Sequence, residues 1–588
     1  MIEFKEHKNP LQIVLENRGV ENISEFFNIS WETVQSPHHL ENISEAAGML
    51  IKHMESAQTI AILNDPDLDG FSASALITNY LEEVRRTGLR VPEIVHLFHE
   101  GKTHGLSNRQ IMRDLRDVVK PALLLVLDAS GTDEEYQALN DIGIQVMVLD
   151  HHSVQNTGDN LNTIVVNTQQ SPNYLNKNLA GAGVGWQFTR VLDEKLHLNF
   201  ANNYLDLVAA ACVADVMDLR SDETRFLIQE GLKLENIKSP FLRQCIKDLS
   251  YSLGGDLNPT NVAFYIAPLV NACIRIGTME EKKLLFDAFL EHKAYELVES
   301  GKRGAKGEMV PLVIEAMRQI TNAKARQKRR QDKLTEAIEA VIDSEGFGRD
   351  KVLIIEIDDF DDEQRSLSGL IANSLISVYR RPVILLFEEE GRYNGSLRAP
   401  SDIEAFADFR KQVEDSQLCF YAQGHPQAAG LSLAKENVQL LRQYFNEKYK
   451  NIDVSPTYFA DFVIEANDPL LGSIIESLDE YKTMWGTGLV EPLIAVTNVY
   501  IGKESLSLLS ADKNPTLKIH LPGDVVLMKF RSSKEEYDSL RLGLADEAQS
   551  HRATVVGKAN VNIWGGKKTA QLIIENYYIH GIDYVFDN

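Results

Sequence analysis

The sequence predicts an α/β protein built from a parallel-sheet domain, a long connecting helix, a second α/β domain and a C-terminal β-barrel. Three observations carry this. Between about residues 58 and 170, short apolar runs alternate with helix-sized segments, the pattern of strands buried on both faces of a parallel sheet. A long helical pattern occupies Glu308–Ile342, and strand pattern resumes at Val352–Ile357 and Pro382–Phe387. From about residue 455 the chain changes to short alternating strands such as Thr516–His520 and Val525–Phe530, as in a small barrel or sandwich.

A chain of 588 residues exceeds what one hydrophobic core supports and calls for roughly three or four domains. With 44% hydrophobic and 25% charged residues it has the balance of a globular protein, not a disordered or fibrous one. The longest apolar stretches, such as Ala122–Leu127 and Leu207–Ala214, are too short to span a bilayer. The opening MIEFKEHKNP is charged and has no apolar signal core, so a cytoplasmic location is expected. Cys212, Cys245, Cys273 and Cys419 have no CxxC spacing and read as ordinary thiols. The formal net charge is −25. Such a surface repels phosphate, so a nucleic-acid substrate needs a local basic groove and bound cations; by charge alone, a small substrate or a protein partner fits better.

The residues just past each apolar run are informative, because ligands of a parallel sheet bind beyond the carboxyl ends of its strands. Thr59–Leu63 leads into Asn64-Asp65-Pro66-Asp67-Leu68-Asp69-Gly70, Ala122–Leu127 into Asp128, and Val146–Leu149 into Asp150-His151-His152; Ile164–Val166 is a fourth run. One Asp at a strand end is usually a cap or turn former. Three in succession, one followed by two histidines, are hard to explain as capping. The apolar helix within residues 204–219 ends at Asp215, which reads equally well as a turn residue or a ligand. Asp65, Asp67 and Asp69 alternate as in a calcium loop, but Leu76 stands where an EF-hand needs glutamate.

With Asp128, His151 and Asp215 these carboxylates make a mixed set suited to Mn²⁺ or Mg²⁺. So many carboxylates stay ionised together only around cations, and two divalent ions would activate water and polarise a phosphodiester. His152 is expected to hydrogen-bond the scissile phosphate or protonate the leaving group; the competing reading is orientation of His151.

The ordered motifs resemble those of the DHH phosphoesterase superfamily and, within it, the RecJ-like single-strand-DNA exonucleases. The D-x-D-x-D-G turn ahead of Asp150-His151-His152 looks like the DHH signature. Further segments resemble the RecJ-like family in order: NRGV (17–20), Pro172-Asn173-Tyr174 with NKNLAGAGVGW (176–186), LVAAACVADVMDL (207–219), Gly395-Ser396-Leu397-Arg398, GHPQAAG (424–430) and GKANVNIWGGKKTAQLIIE (557–575). Pattern and resemblance together divide the chain into an N-terminal segment (1–44), a DHH catalytic domain (45–308), a connecting helix (309–345), a DHH-associated substrate-binding domain (346–450) and an OB-like nucleic-acid-binding barrel (451–588).

The resemblance implies a 5′→3′ exonuclease that releases mononucleotides from single-stranded DNA and uses two Mn²⁺ or Mg²⁺ ions. It assigns Asp65, Asp67, Asp69, Asp128, His151 and Asp215 to the metals and makes Asp150 and His152 the catalytic pair. Asn271, Arg275, Ser396 and Arg398 would hold phosphate at the 5′ end, and His425 the strand nearer the cleaved bond. Single-stranded DNA is the implied partner, a single-strand-binding protein or helicase the expected associate, and no membrane is involved. The chain departs from the family pattern at Gln423-Gly424, at Cys273-Ile274, in residues 361–375, which lack a histidine, and in HEGKTHGL (99–106). These departures concern the substrate end, not the metal set.

Two other functions stay open: a DHH phosphodiesterase of short oligonucleotides or cyclic dinucleotides, favoured by the acidity, and a non-catalytic replication scaffold, opposed by the chemically competent ligands. A pyrophosphatase is disfavoured by the GSLR and OB-like segments. The run KARQKRRQDK (324–333) sets six basic residues against one aspartate. Such a run is usually a solvated helix face; in so acidic a chain it is also the best candidate to track phosphate, through Arg326 and Arg329.

Overall fold

The computed structural model describes residues 9–584 apart from 57, 101–104, 107, 154–161, 256, 358–359, 390, 453–456, 511–514 and 565. Parts of HEGKTHGL and of the terminal GKANVNIWGGKKTAQLIIE segment thus lie outside the described residues.

Five parallel strands centre the first domain: β1 (Ile60–Asn64), β2 (Ile94–Phe98), β3 (Leu123–Leu127), β4 (Gln145–Asp150) and β5 (Thr163–Asn167), in the order β2-β1-β3-β4-β5. β1 and β3 are buried throughout, as uninterrupted Ile, Leu and Val runs require. Register aligns Asn64 with Leu127, and Leu127 with Leu149. The next residues along each strand, Asp65, Asp128 and Asp150, therefore emerge side by side at one edge. β1 has β2 on one flank and β3 on the other, so this edge contains the switch point at which α/β sheets bind ligands. β2 is missing from the four runs legible in the sequence: it is an edge strand, only partly buried, with His96 at its centre.

After a short hairpin of β6 (Leu297–Glu299) and β7 (Met309–Pro311), the connecting helix runs Leu312–Glu345. Its 34 residues span about 51 Å. Leu312, Ala316, Met317, Ile320 and Ala323 join the core of the first domain, whereas Ile338 and Ile342 join that of the second. The helix is thus a strut seated at both ends. The second domain contains β8 (Leu353–Ile357), β9 (Val383–Glu389), β10 (Arg392–Arg398), β11 (Cys419–His425) and β12 (Ala428–Leu433), ordered β11-β12-β10-β9-β8, with only β8 and β9 parallel. Helix Asp362–Tyr379 packs across β9 and β10.

The C-terminal part corrects an expectation. Strands β13 (Phe462–Glu465), β14 (Leu493–Gly502), β15 (Leu506–Leu509), β16 (Thr516–His520), β17 (Val526–Lys529), β18 (Gln549–Trp564) and β19 (Lys567–Tyr584) form one seven-stranded sheet, ordered β13-β14-β18-β19-β17-β16-β15. Among the described residues no closed OB-like barrel forms; β13 and β15 remain edges. The cause is a hairpin of 16 and 18 residues, β18–β19, where the turn pattern suggests short strands. Helix Leu471–Asp479 packs on both of its arms.

One continuous core joins Val14, Ile62 and Leu125 to Ile474 and Leu572. Arg18 forks onto Asp461 (2.6 and 3.0 Å), and the Leu219 N–H donates to the Thr487 carbonyl (2.9 Å). The four cysteines are free. No described helix is long and apolar enough to cross a membrane.

Candidate metal centre

The turn after β1 is short and crowded. Asp67 caps helix Leu68–Arg86, its Oδ1 accepting from the Gly70 N–H (3.0 Å). A Cβ on Gly70 would stand 2.6 Å from both the Cβ and the carbonyl oxygen of Asp65, so glycine alone lets the helix begin this close to the strand end. Asp69, in the first turn of that helix, is buried and accepts from the backbone N–H groups of Gly181 (2.7 Å) and Ala182 (2.8 Å). These open helix Gly181–Leu196, whose orphan donors and positive end favour a carboxylate. The AGAG stretch within NKNLAGAGVGW is explained here: a Cβ on Gly181 would lie 2.5 Å from the Asp128 Cβ.

Asp128 leaves β3 with φ 58°, a left-handed conformation that aspartate tolerates better than most residues. Its Oδ1 lies 3.2 Å from His151 Nε2. Asp215, at the C-cap of helix Leu205–Ala214, places Oδ2 3.3 Å from the same nitrogen, and Asp69 Oδ2 lies at 3.8 Å. Ligand atoms of Asp65, Asp67 and Asp128 form one compact group, and those of Asp69, His151 and Asp215 another. The structure therefore brings together all six residues expected to hold metal. The turn reading of Asp215 holds as well, since it ends its helix.

Asp150 and His152, the expected catalytic pair, form a further group with Asp128 and His151. Asp150 is fully buried; its Oδ1 accepts from His152 Nδ1 (2.8 Å) and its Oδ2 from the Ser130 hydroxyl (2.5 Å). Burial would raise the Asp150 carboxyl, but His152 and Ser130 outweigh it and hold it below its ordinary range. The hydrogen bond to Asp150, more than any other influence, lifts His152 to about 9. Half-exposed, with Nδ1 committed, His152 has Nε2 left for a ligand. Ser130 is a participant that no sequence signal announces.

Electrostatics favour a cation. Desolvation first, then Asp67, raises Asp69 to about 7; desolvation and then Asp69 raise Asp215 to about 7. Asp128 is pushed well up by burial and by Asp69, Asp67, Asp65 and Asp215. Burial and the charge of His152 lower His151, leaving the neutral imidazole that ligates metal. His151 Nε2 and Asp128 Oδ1 are buried without a hydrogen-bond partner among the described residues. Facing orphan ligand atoms amid crowded carboxylates fit divalent cations of the Mn²⁺ or Mg²⁺ type.

The expected phosphate residues come from both domains. Asn271 and Arg275 lie one turn apart on helix Ala267–Ile276. Burial lowers the Arg275 guanidinium while Asp67 counteracts; burial and then the charge of Arg275 lower Arg398. Arg275 is thus coupled by charge both to the acidic edge and to the second domain. Ser396 and Arg398 lie on β10, where Ser396 shares a hydrogen bond with the Ser368 hydroxyl (2.8 Å). Across the sheet Arg398 pairs with Ala428, and Ala428 with His425, so Arg398 and His425 share a row. Gly424, with φ 132°, would press a Cβ to 2.8 Å from the Ala428 carbonyl. Exposed His425 has no hydrogen bond or ion pair with the metal cluster among the described residues.

Comparisons with known proteins agree with this geometry. Residues 59–212 match the DHH family N-terminal domain and residues 349–451 the DHHA1 domain. A Bacillus subtilis (strain 168) protein named as an SPbeta prophage-derived single-strand DNA-specific exonuclease, YorK, is 36% identical over 573 residues, 96% of this chain and 95% of that protein. The single-stranded-DNA-specific exonuclease RecJ of the same organism is 25% identical over 92% of this chain and 64% of its own. The Mn²⁺ complex of RecJ from Thermus thermophilus has the same fold, with a TM-score of 0.69, 20% identity, and coverage of 97% of this chain and 76% of that one. Near-complete similarity to YorK, with both domain families in order around a shared acidic edge, makes this chain a member of the RecJ-like branch of the DHH superfamily.

Proposed function

We propose that the chain is a metal-dependent exonuclease that removes mononucleotides from the 5′ end of single-stranded DNA. The observation that carries this is the orphan pair His151 Nε2 and Asp128 Oδ1 within the carboxylate cluster, with the charge of Asp67 acting on Arg275 and that of Arg275 on Arg398. Asp65, Asp67, Asp69, Asp128, His151 and Asp215 would hold two Mn²⁺ or Mg²⁺ ions, which when bound supply hydroxide from water and charge neutralisation at the phosphate.

The chain's own groups do the rest. Asp150, fixed by Ser130, orients His152 and keeps it protonated. His152 Nε2 donates to a phosphate oxygen or delivers the proton to the departing 3′ oxygen. Water oxygen becomes bonded to phosphorus as the bond to that 3′ oxygen breaks. Arg275, Arg398, Asn271 and Ser396 grip the 5′ phosphate, the arginines through forked pairs of N–H donors. His425 contacts the strand near the cleaved bond. The shortened strand keeps a new 5′ phosphate, the group the clamp needs for another round. Phe530, Tyr578 and Tyr584, exposed on the C-terminal domain, offer stacking faces for bases.

Digestion of 5′- and 3′-labelled single strands tests this, with duplex, RNA and dinucleotide controls and Mn²⁺ or Mg²⁺ added to metal-free protein. Label is expected to leave the 5′ end first and only with metal. Faster turnover of the dinucleotide than of the long strand refutes the reading.

A further inference from the structure

The basic run 324–333 reads as uniform in sequence, but the structure sorts it. Arg326 is held by Glu281 (2.7 Å) and Lys328 by Asp332. Lys324 pairs with no carboxylate among the described residues; its Nζ donates to Gln327 Oε1 (3.2 Å). Its helix packs against helix Ala267–Ile276, which carries Arg275, and burial and the charge of Arg275 depress Lys324, as burial and Arg275 depress Arg398. Neither arginine has a carboxylate partner within ion-pair distance among the described residues.

Gln327 supplies an independent sign. It is 1% exposed, and its amide Nε2 has no acceptor among the described residues. A buried N–H donor left unmatched is costly, and so are neighbouring cations withdrawn from water. One species relieves both: an anion with several acceptor oxygens. From the second domain, Gly369 makes room, since a Cβ there would stand 2.4 Å from Arg398 Nη2. The missing side chain is the notch in helix Asp362–Tyr379 that seats the guanidinium.

We propose that Lys324 and Gln327 form a further phosphate-binding subsite on the connecting helix, adjoining Arg275 and Arg398 and gripping a phosphate of the single strand. This rests on the exonuclease reading above. The test compares K324M, Q327E, K324R and K328M with wild type on 5′-phosphorylated and 5′-hydroxyl single strands over a range of ionic strength. K324M is expected to raise KM about tenfold or more with kcat little changed, K324R to restore it, and K328M to behave as wild type. The slope of log(kcat/KM) against log salt becomes shallower by about 0.7 in K324M, as for one lost phosphate contact on a single strand. A loosened helix alone would not change that slope. Q327E, isosteric and supplying Lys324 with a carboxylate, raises KM without lowering Tm, and it carries the test should K324M fail to fold.

A loss confined to 5′-phosphorylated strands places the terminal phosphate at the subsite, and an equal loss on both places an internal phosphodiester there; either upholds the proposal. Unchanged KM and salt slope in K324M, or unchanged KM in Q327E, overturn it. A wild-type protein inactive on both strands overturns the exonuclease reading instead.

Discussion

Asp128 combines left-handed backbone, full burial and an orphan oxygen aimed at His151, so Asp128→Ala removes an expected ligand and also sets alanine in a backbone it tolerates less well. Asp128→Ala and His151→Ala are each expected to lower activity at least about 100-fold and to abolish the rise in Tm that Mn²⁺ gives the wild type. Calorimetry with and without Mn²⁺ checks both. Asp150 and His152 make a different prediction. In metal-free protein the His152 imidazole, followed by NMR, titrates near 9, and in Asp150→Asn it falls back toward its ordinary value. Because the folded pKa is the higher one, the pair stabilises the fold fully below the unfolded value near 6.5; that contribution is lost as pH rises through about 9. The strand-end carboxylates were legible because strand periodicity fixes where each side chain emerges. Ser130 and the N–H groups of Gly181 and Ala182 were not, because a hydroxyl or an amide acquires its role only from what tertiary packing sets opposite it.

At the scale of elements, close approach governs the site. Helix Gly181–Leu196 meets Asp128 where only glycine fits. Gly181→Ala is expected to destabilise by about 1–3 kcal/mol in urea unfolding and to weaken Mn²⁺ binding through Asp69, which the same helix end holds. The connecting helix was legible in extent, and its charge was misleading in detail. Arg326, a candidate for tracking phosphate, is bound to Glu281, which closes the capping box of helix Met279–Phe289. Arg326→Glu should therefore cost about 1 kcal/mol of stability, with most of it recovered in the Arg326→Glu/Glu281→Arg exchange. A basic run in sequence records charges, not which are already neutralised by residues remote in the chain.

For the whole molecule, the parallel sheet and the second domain followed from strand and helix patterning, whereas the C-terminal sheet did not. Alternation identifies strands but says little about their length or whether a sheet closes, and the 16- and 18-residue strands of the β18–β19 hairpin were not legible as such. The shared core makes the C-terminal part more than an accessory. A chain ended at about residue 455 would uncover helix Pro10–Asn17, which packs on helix Leu471–Asp479, and leave Arg18 without Asp461. It is expected to aggregate on expression; a soluble, active fragment in size-exclusion chromatography would contradict this.

The turn beyond Asp215 is pinned by Thr487, and Gly488 fits so tightly that a Cβ would lie 1.8 Å from Asp218 Oδ1. During translation Asp215 leaves the ribosome on the order of tens of seconds before those residues exist. All six residues of the acidic cluster are then already synthesised, yet the turn carrying Asp215 has nothing to close against.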